Sequence, residues 1–182
     1  MNNNKYQFSQ ARCYWITGLS ASGKTTMANK LTEYLKQKNK PVVQLDGDVL
    51  RNILNVKAYT LDERYQLASK YSLICKHIVE NGVNVVIGVL GLFHKLHSWN
   101  RENIPQYCEI YLNVPKEELI KRDPKGIYKS ALKGELKNVA GIDLKMELPI
   151  NPDVEVVWIE GKNIEDTFNE IKNKLENQKV II

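Results

Sequence analysis

Cysteine is scarce in this chain of 182 residues, at three, and no CxxC pair occurs among Cys13, Cys75 and Cys108. An odd, scattered set excludes a disulfide framework and a zinc site, and reads as buried thiols in a reducing cytoplasm. Long apolar runs are also missing. Nothing approaches the ~20 residues of a membrane-spanning helix. The opening "MNNNKYQFSQ" has no apolar signal core and is expected to be a flexible polar tail over residues 1–10. No internal repeat is found, and no low-complexity stretch beyond the first asparagines. Charge of one sign does not dominate: 26 basic side chains against 21 acidic ones leave a net +5. The lysines are spread and interleaved with acids. That favours a local site for a small anion over a nucleic-acid surface.

Five short apolar runs are present: "CYWIT" (13–17), "VVQL" (42–45), "VNVVIGVL" (83–90), "CEIYLN" (108–113) and "VEVVWI" (154–159). Runs of this kind suit parallel strands covered on both faces. Helical periodicity lies between them. Residues 24–38 put Met27, Ala28, Leu31, Tyr34 and Leu35 on one stripe. Residues 61–80 carry Leu61, Tyr65, Ala68, Leu73, Ile74, Ile78 and Val79, and Asn81-Gly82 stops them. Helices are also expected over 116–122 and 164–176, the last with Ile164, Phe168, Ile171 and Leu175 inward. Alternating strand and helix predicts an α/β fold with a five-stranded parallel sheet flanked by helices, in one domain over 11–182. From Asp123 to Pro152 the rhythm fails. A segment this long without a strand reads as a lid, at about 123–150.

Gly18-Leu-Ser-Ala-Ser-Gly23-Lys24-Thr25 matches GxxxxGK[ST] in full, with a strand before it and a helix after it. This is the P-loop of the P-loop NTPase fold. Glycines let the backbone wrap an anion, and the amides and helix N-terminus supply positive potential. Lys24 is expected at the β- and γ-phosphates, and the Thr25 hydroxyl at Mg²⁺. There is no Asn-Lys-x-Asp and no LSGGQ-like stretch, which disfavours a guanine-reading GTPase and a transporter ATPase. A small domain with a lid points to a small-molecule kinase. "LDGDVLR" follows the second strand, so Asp46 falls at its C-terminal end, the ligand edge of an open sheet. Its carboxylates suit metal-bound water or an acceptor hydroxyl. As a purely structural part, Asp48 would cap a helix over "VLRNIL".

"GLSASGKTT", "LDGDVLR" and "RDPKGIYKSALKGELKNVAGID" together resemble the adenylylsulfate kinase (APS kinase) family over residues 13–176. That family moves the γ-phosphoryl group of ATP to the 3′-hydroxyl of adenosine 5′-phosphosulfate, with Mg²⁺. The resemblance implies that Gly18 and Ala21, Ser22, Gly23, Lys24, Thr25 and Thr26 hold the ATP phosphates, with Arg122 beside the adenine. Lys24, Asp46 and Asp48 become the catalytic set, and Thr25 and Asp46 the metal set. Asp48, Arg51, Tyr59, Arg64, Leu90, Gly91, Lys125 and Val139 fall at acceptor positions.

Several acceptor positions depart from the family pattern. "DRxEN" reads "ERYQL", so Leu67 replaces an asparagine. "ISPxR" reads "LGLFH", with Gly91 for serine, Leu92 for proline and His94 for arginine. The aromatic of "KxFTG" is Val139, and a "YE" pair is Met146-Glu147. The expected acceptor is adenosine 5′-phosphosulfate. The departures admit the same chemistry on another nucleotide such as cytidine diphosphoramidate. The reading from a different class is a non-catalytic nucleotide-binding module. Neither nucleic acid nor a membrane is an expected partner, and the place is the cytoplasm. A homodimer is a candidate assembly, with Trp99 and the final "KVII" as contacts. Trp15, Trp158 and Phe168 are assigned to the core. His94 and His97, at i and i+3, share a helix face without a third metal ligand.

Overall fold

The computed structural model describes residues 11–178 and 180. The strands are β1 (Cys13–Thr17), β2 (Val42–Asp46), β3 (Asn84–Val89), β4 (Tyr107–Asn113) and β5 (Val154–Val157). The helices are α1 (Lys24–Gln37), α2 (Gly47–Ile53), α3 (Leu61–Glu80), α4 (His94–Asn103), α5 (Lys116–Arg122), α6 (Ile127–Leu132) and α7 (Ile164–Asn177). All pairings are parallel, in the order β2-β3-β1-β4-β5. The expected five-stranded α/β fold is therefore present. The polar tail expected over 1–10 and most of "KVII" lie outside the described residues.

Alternation along the strands builds two cores. Cys13 and Trp15 of β1 face one side with Val85, Ile87 and Val89 of β3, under α3 and α4. Tyr14 and Ile16 face the other side with Ile110 and Leu112 of β4, under α1 and α7. Both faces of β1 and β3 are buried, so their sequences read as unbroken apolar runs. Cys13, Cys75 and Cys108 are buried free thiols.

Two helices are additional to the sequence expectation: α4 carries too many polar residues to show a stripe, and α6 lies inside the expected lid. α2 begins ahead of the helix expected over "VLRNIL". The α3 stripe also needs correction. Leu67, Tyr71 and Cys75 are buried, whereas Leu61 and Leu73 are exposed. The inner face keeps Ala68 and Val79 of the expected stripe and adds Leu67, Tyr71, Ser72 and Cys75. Ile164, at the first turn of α7, is likewise exposed. Leu119, Tyr128 and Val139 form a third small cluster under the segment that follows α5.

β1 is the switch point of the sheet, since the chain moves to β3 and β2 on one side and to β4 and β5 on the other. The crevice beyond its C-terminal end is where open α/β sheets bind ligands. A cleft of about 940 Å³ opens there.

Candidate active site

The loop from Gly18 to Thr25 leaves β1 directly into α1. Gly18 has φ 153°, and a Cβ there would lie 2.9 Å from the Leu112 carbonyl oxygen, so the position admits no side chain. Ala21 is left-handed at φ 63°, a strained conformation for a residue with a Cβ. Gly23 caps α1 without a side chain, leaving the first amides of the helix for a ligand. Lys24 Nζ donates to the Leu19 carbonyl at 2.7 Å. Burial pulls the Lys24 ammonium down to about 8, against the opposing pull of Asp48. Ser22 and Thr26 line the cleft beside it.

Asp46 ends β2 with both oxygens engaged. Oδ2 accepts from Thr25 Oγ1 at 2.9 Å. Oδ1 accepts from the amides of Asp48 at 2.8 Å and Val49 at 3.3 Å. The cap of α2 is therefore Asp46, not Asp48. The helix starts two residues earlier than the apolar pattern suggests, because Asp46 caps the amides of its first turn and Gly47 enters it. Asp48 stands in the first turn and pairs with Lys125, and more loosely with Arg51 at 3.8 Å. Burial pushes its carboxyl up, but Lys125, then Arg51 and Lys24, outweigh that and hold it below the usual range.

Arg64 comes from the first turns of α3. Its Nε donates to the Tyr59 carbonyl at 3.0 Å and its Nη2 to the Asn138 carbonyl at 2.9 Å. One guanidinium thus joins the loop carrying Tyr59 to the turn carrying Val139. Burial and the positive Arg51 nearby both lower Arg64. Two guanidiniums held together in this way make a site for an anion. Asp143 accepts from the amides of Asn138, at 2.6 Å, and Val139, at 2.5 Å, and so shapes the same turn.

Tyr59, Leu67, Leu90, Gly91, Lys125 and Val139 all line the cleft. So does Arg122, whose Nη1 reaches the Ala21 carbonyl at 3.4 Å. The structure thus brings every sequence-derived site residue but Gly18 to the wall of one cavity, with Gly18 at the root of the loop. Sequence reasoning missed Tyr71, whose hydroxyl donates to the Gly47 carbonyl at 3.0 Å and supports the turn into α2. It also missed Trp158, Lys162 and Thr167 at the far end. Trp158 is half-buried in that wall and is not a core residue as expected. It follows the last ladder residue, where an apolar run does not distinguish core from cleft. Trp99 packs half-buried against the core that contains Trp15, where a subunit contact was expected. His94 and His97 point apart: His94 Nε2 lies 2.8 Å from the Leu148 carbonyl, and His97 is buried.

The adenylylsulphate kinase family model matches residues 10–157. A cytidine diphosphoramidate kinase from Campylobacter jejuni is 39% identical over 149 residues, covering 82% of this chain and 84% of its own. A probable adenylyl-sulfate kinase from Aeropyrum pernix is 39% identical over 157 residues, covering 83% and 85%. Among solved structures, the Mycobacterium tuberculosis APS kinase in complex with AMPPNP and APS superposes with a TM-score of 0.83. It is 27% identical, and the match covers 92% of this chain and 98% of that one.

Proposed function

The chain belongs to the adenylylsulphate kinase family of phosphotransferases, and on that premise we propose that it moves the γ-phosphoryl group of ATP to the ribose 3′-hydroxyl of cytidine diphosphoramidate. The observation that carries this reading is the pair of cationic sites on either side of Asp48. Lys24 and the loop amides lie on one side, and Arg51, Arg64 and Lys125 on the other. One polyphosphate and one anionic acceptor fit those two halves.

The donor binds with its phosphates along Ala21 to Thr26 and its adenine between Arg122 and Trp158. Thr25 and Asp46 offer hard oxygen atoms that suit Mg²⁺, which takes few protein ligands beside phosphate. When bound, the ion neutralises charge on the β- and γ-phosphates. Asp46 serves the cap of α2 and, with Thr25, the Mg²⁺ side, so we assign to Asp48 the part of orienting the acceptor hydroxyl and taking its proton. Lys24 neutralises charge on the transferring group, and in-line positioning supplies the rest. Residues 11–182 act as one kinase domain, and the segment 123–150 closes over both ligands.

The acceptor assignment rests on the walls. Leu67 and Val139 are aliphatic, so a base at Tyr59 has one aromatic face and no amide from position 67. Stacking contributes roughly 1–3 kcal/mol per base. A purine loses more than a pyrimidine when one face is aliphatic. The relative from Campylobacter jejuni supports the same acceptor. A second reading is adenosine 5′-phosphosulfate, whose 5′-anhydride Arg51, Arg64 and Lys125 would hold equally, and which the relative from Aeropyrum pernix supports. Incubation of both nucleotides with ATP, followed by analysis for the 3′-phosphorylated product, decides between them. Preferential turnover of adenylylsulfate would establish the second reading.

A further inference from the structure

Tyr128, on α6, is fully buried and stands outside the cleft wall, although Lys125 and Ile127 belong to it. Its ring packs with Leu119 and Val139, and Leu19 and Ala21 of the phosphate loop lie against the same cluster. Its hydroxyl makes one polar contact, donating to the Ser20 carbonyl at 3.0 Å. Burial, then the Asp123 carboxylate, pushes this phenol up to about 12, so it keeps the proton it donates. The helix that carries it is itself held. Asp123 Oδ2 accepts from the Lys129 amide at 2.9 Å, and the Asp123 carbonyl accepts from the Gly126 amide at 3.0 Å.

A trans peptide points its carbonyl and the following amide in opposite directions. Fixing the Ser20 carbonyl on Tyr128 therefore turns the Ala21 amide away from the cluster, toward the cleft that Ser20, Ala21 and Ser22 line. That amide has no acceptor among the described residues. Ala21 itself is left-handed at φ 63°, a conformation that persists only where its surroundings over-determine it. The neighbouring ties are longer. The Ser22 amide reaches the Leu19 carbonyl at 3.3 Å, and Arg122 Nη1 the Ala21 carbonyl at 3.4 Å. Lys24 holds the Leu19 carbonyl at 2.7 Å, but bound phosphate competes for that ammonium. The bond from Tyr128 has no such competitor.

We infer that Tyr128 is a positioning residue for the donor: its hydroxyl holds the Ser20 carbonyl and so aims the Ala21 amide at the phosphates of ATP. The inference rests on the reading that ATP binds along Ala21 to Thr26. Without the hydroxyl, the Ser20–Ala21 peptide is free to turn. An amide that must be reoriented on binding contributes less affinity than one held ready. The loss falls on the phosphates and not on the nucleoside, which lies toward Arg122 and Trp158.

Tyr128→Phe keeps the ring in its cluster and removes only the hydroxyl. Calorimetric titration with Mg²⁺ present and no acceptor gives the Kd of ATP. Displacement of ATP gives that of inorganic triphosphate, which has neither base nor sugar. Both constants are expected to rise about tenfold in Tyr128→Phe, within the range of one charge-assisted hydrogen bond. Tyr14→Phe is the control, since its buried hydroxyl reaches the Val180 carbonyl at 3.4 Å, away from the loop. That variant is expected to bind ATP as the wild type does. Wild-type affinity of Tyr128→Phe for ATP would overturn the inference. So would a loss for ATP alone with triphosphate unchanged, or an equal loss in Tyr14→Phe. Because no acceptor is present, the outcome does not depend on which nucleotide is phosphorylated. A wild-type protein that binds no ATP would overturn the donor reading, and the inference with it.

Discussion

At the residue scale, Lys24 carries the most weight. Lys24→Ala is expected to lower kcat by roughly 10²–10³-fold or more, as loss of a transition-state donor does. Its ammonium, lowered by burial to about 8, also sets a pH dependence. Charge is present below that value and lost above it, so ATP KM is expected to be flat to about pH 8 and to climb beyond it. Initial-rate measurements over that range check this. Val139 is the acceptor counterpart. Val139→Phe returns an aromatic face, and is expected to raise the preference for adenylylsulfate over the cytidine nucleotide by about tenfold, within the range of one base stack. Gly91 cannot be reversed in the same way. A Cβ there strikes the buried Trp15 ring, so Gly91→Ser is expected to cost roughly 1–3 kcal/mol in denaturant unfolding. The donor half was legible residue by residue because its motif is contiguous. Tyr71 and Trp158 were not, since an aromatic on a helix stripe or after a strand looks the same whether it faces core or cleft.

At the element scale, termini place the chemistry. α3 opens with a full capping box, Thr60 Oγ1 accepting from the Glu63 amide and Glu63 reaching back to the amides of Thr60 and Tyr59. That box fixes the first turns, where Arg64 spans from Tyr59 to Asn138. Thr60→Ala is expected to cost about 1 kcal/mol of stability and to raise acceptor KM without changing ATP KM. Urea unfolding and initial rates read the two effects separately. Of the five strands, four are buried on at least one face throughout and were bounded from sequence within a residue or two. α4 was not read as an element, and α2 was read with the wrong cap and start. Their stability comes from an aspartate cap and from buried polar contacts, neither of which has an apolar period. Asp46 illustrates the point: position identified it as a ligand-edge carboxylate, but only geometry showed that it also caps α2 and leaves Asp48 to pair with Lys125.

At the scale of the whole molecule, a parallel sheet with its switch point at β1 gathers residues from Ser20 to Thr167 into one cleft. Among the described residues, no helix is long and apolar enough to cross a membrane. The alternation of strands and helices made this architecture legible. The order β2-β3-β1-β4-β5, which brings Asp48 beside Lys125 across 77 positions, is a long-range fact that no local pattern encodes. The most direct test is a competition between cytidine diphosphoramidate and adenylylsulfate for limiting ATP, with the position of the new phosphate determined on the product. The expected result is the 3′-phosphorylated cytidine nucleotide, formed with a kcat/KM at least about tenfold above that for adenylylsulfate. Preferential phosphorylation of adenylylsulfate, or transfer to neither, would contradict it.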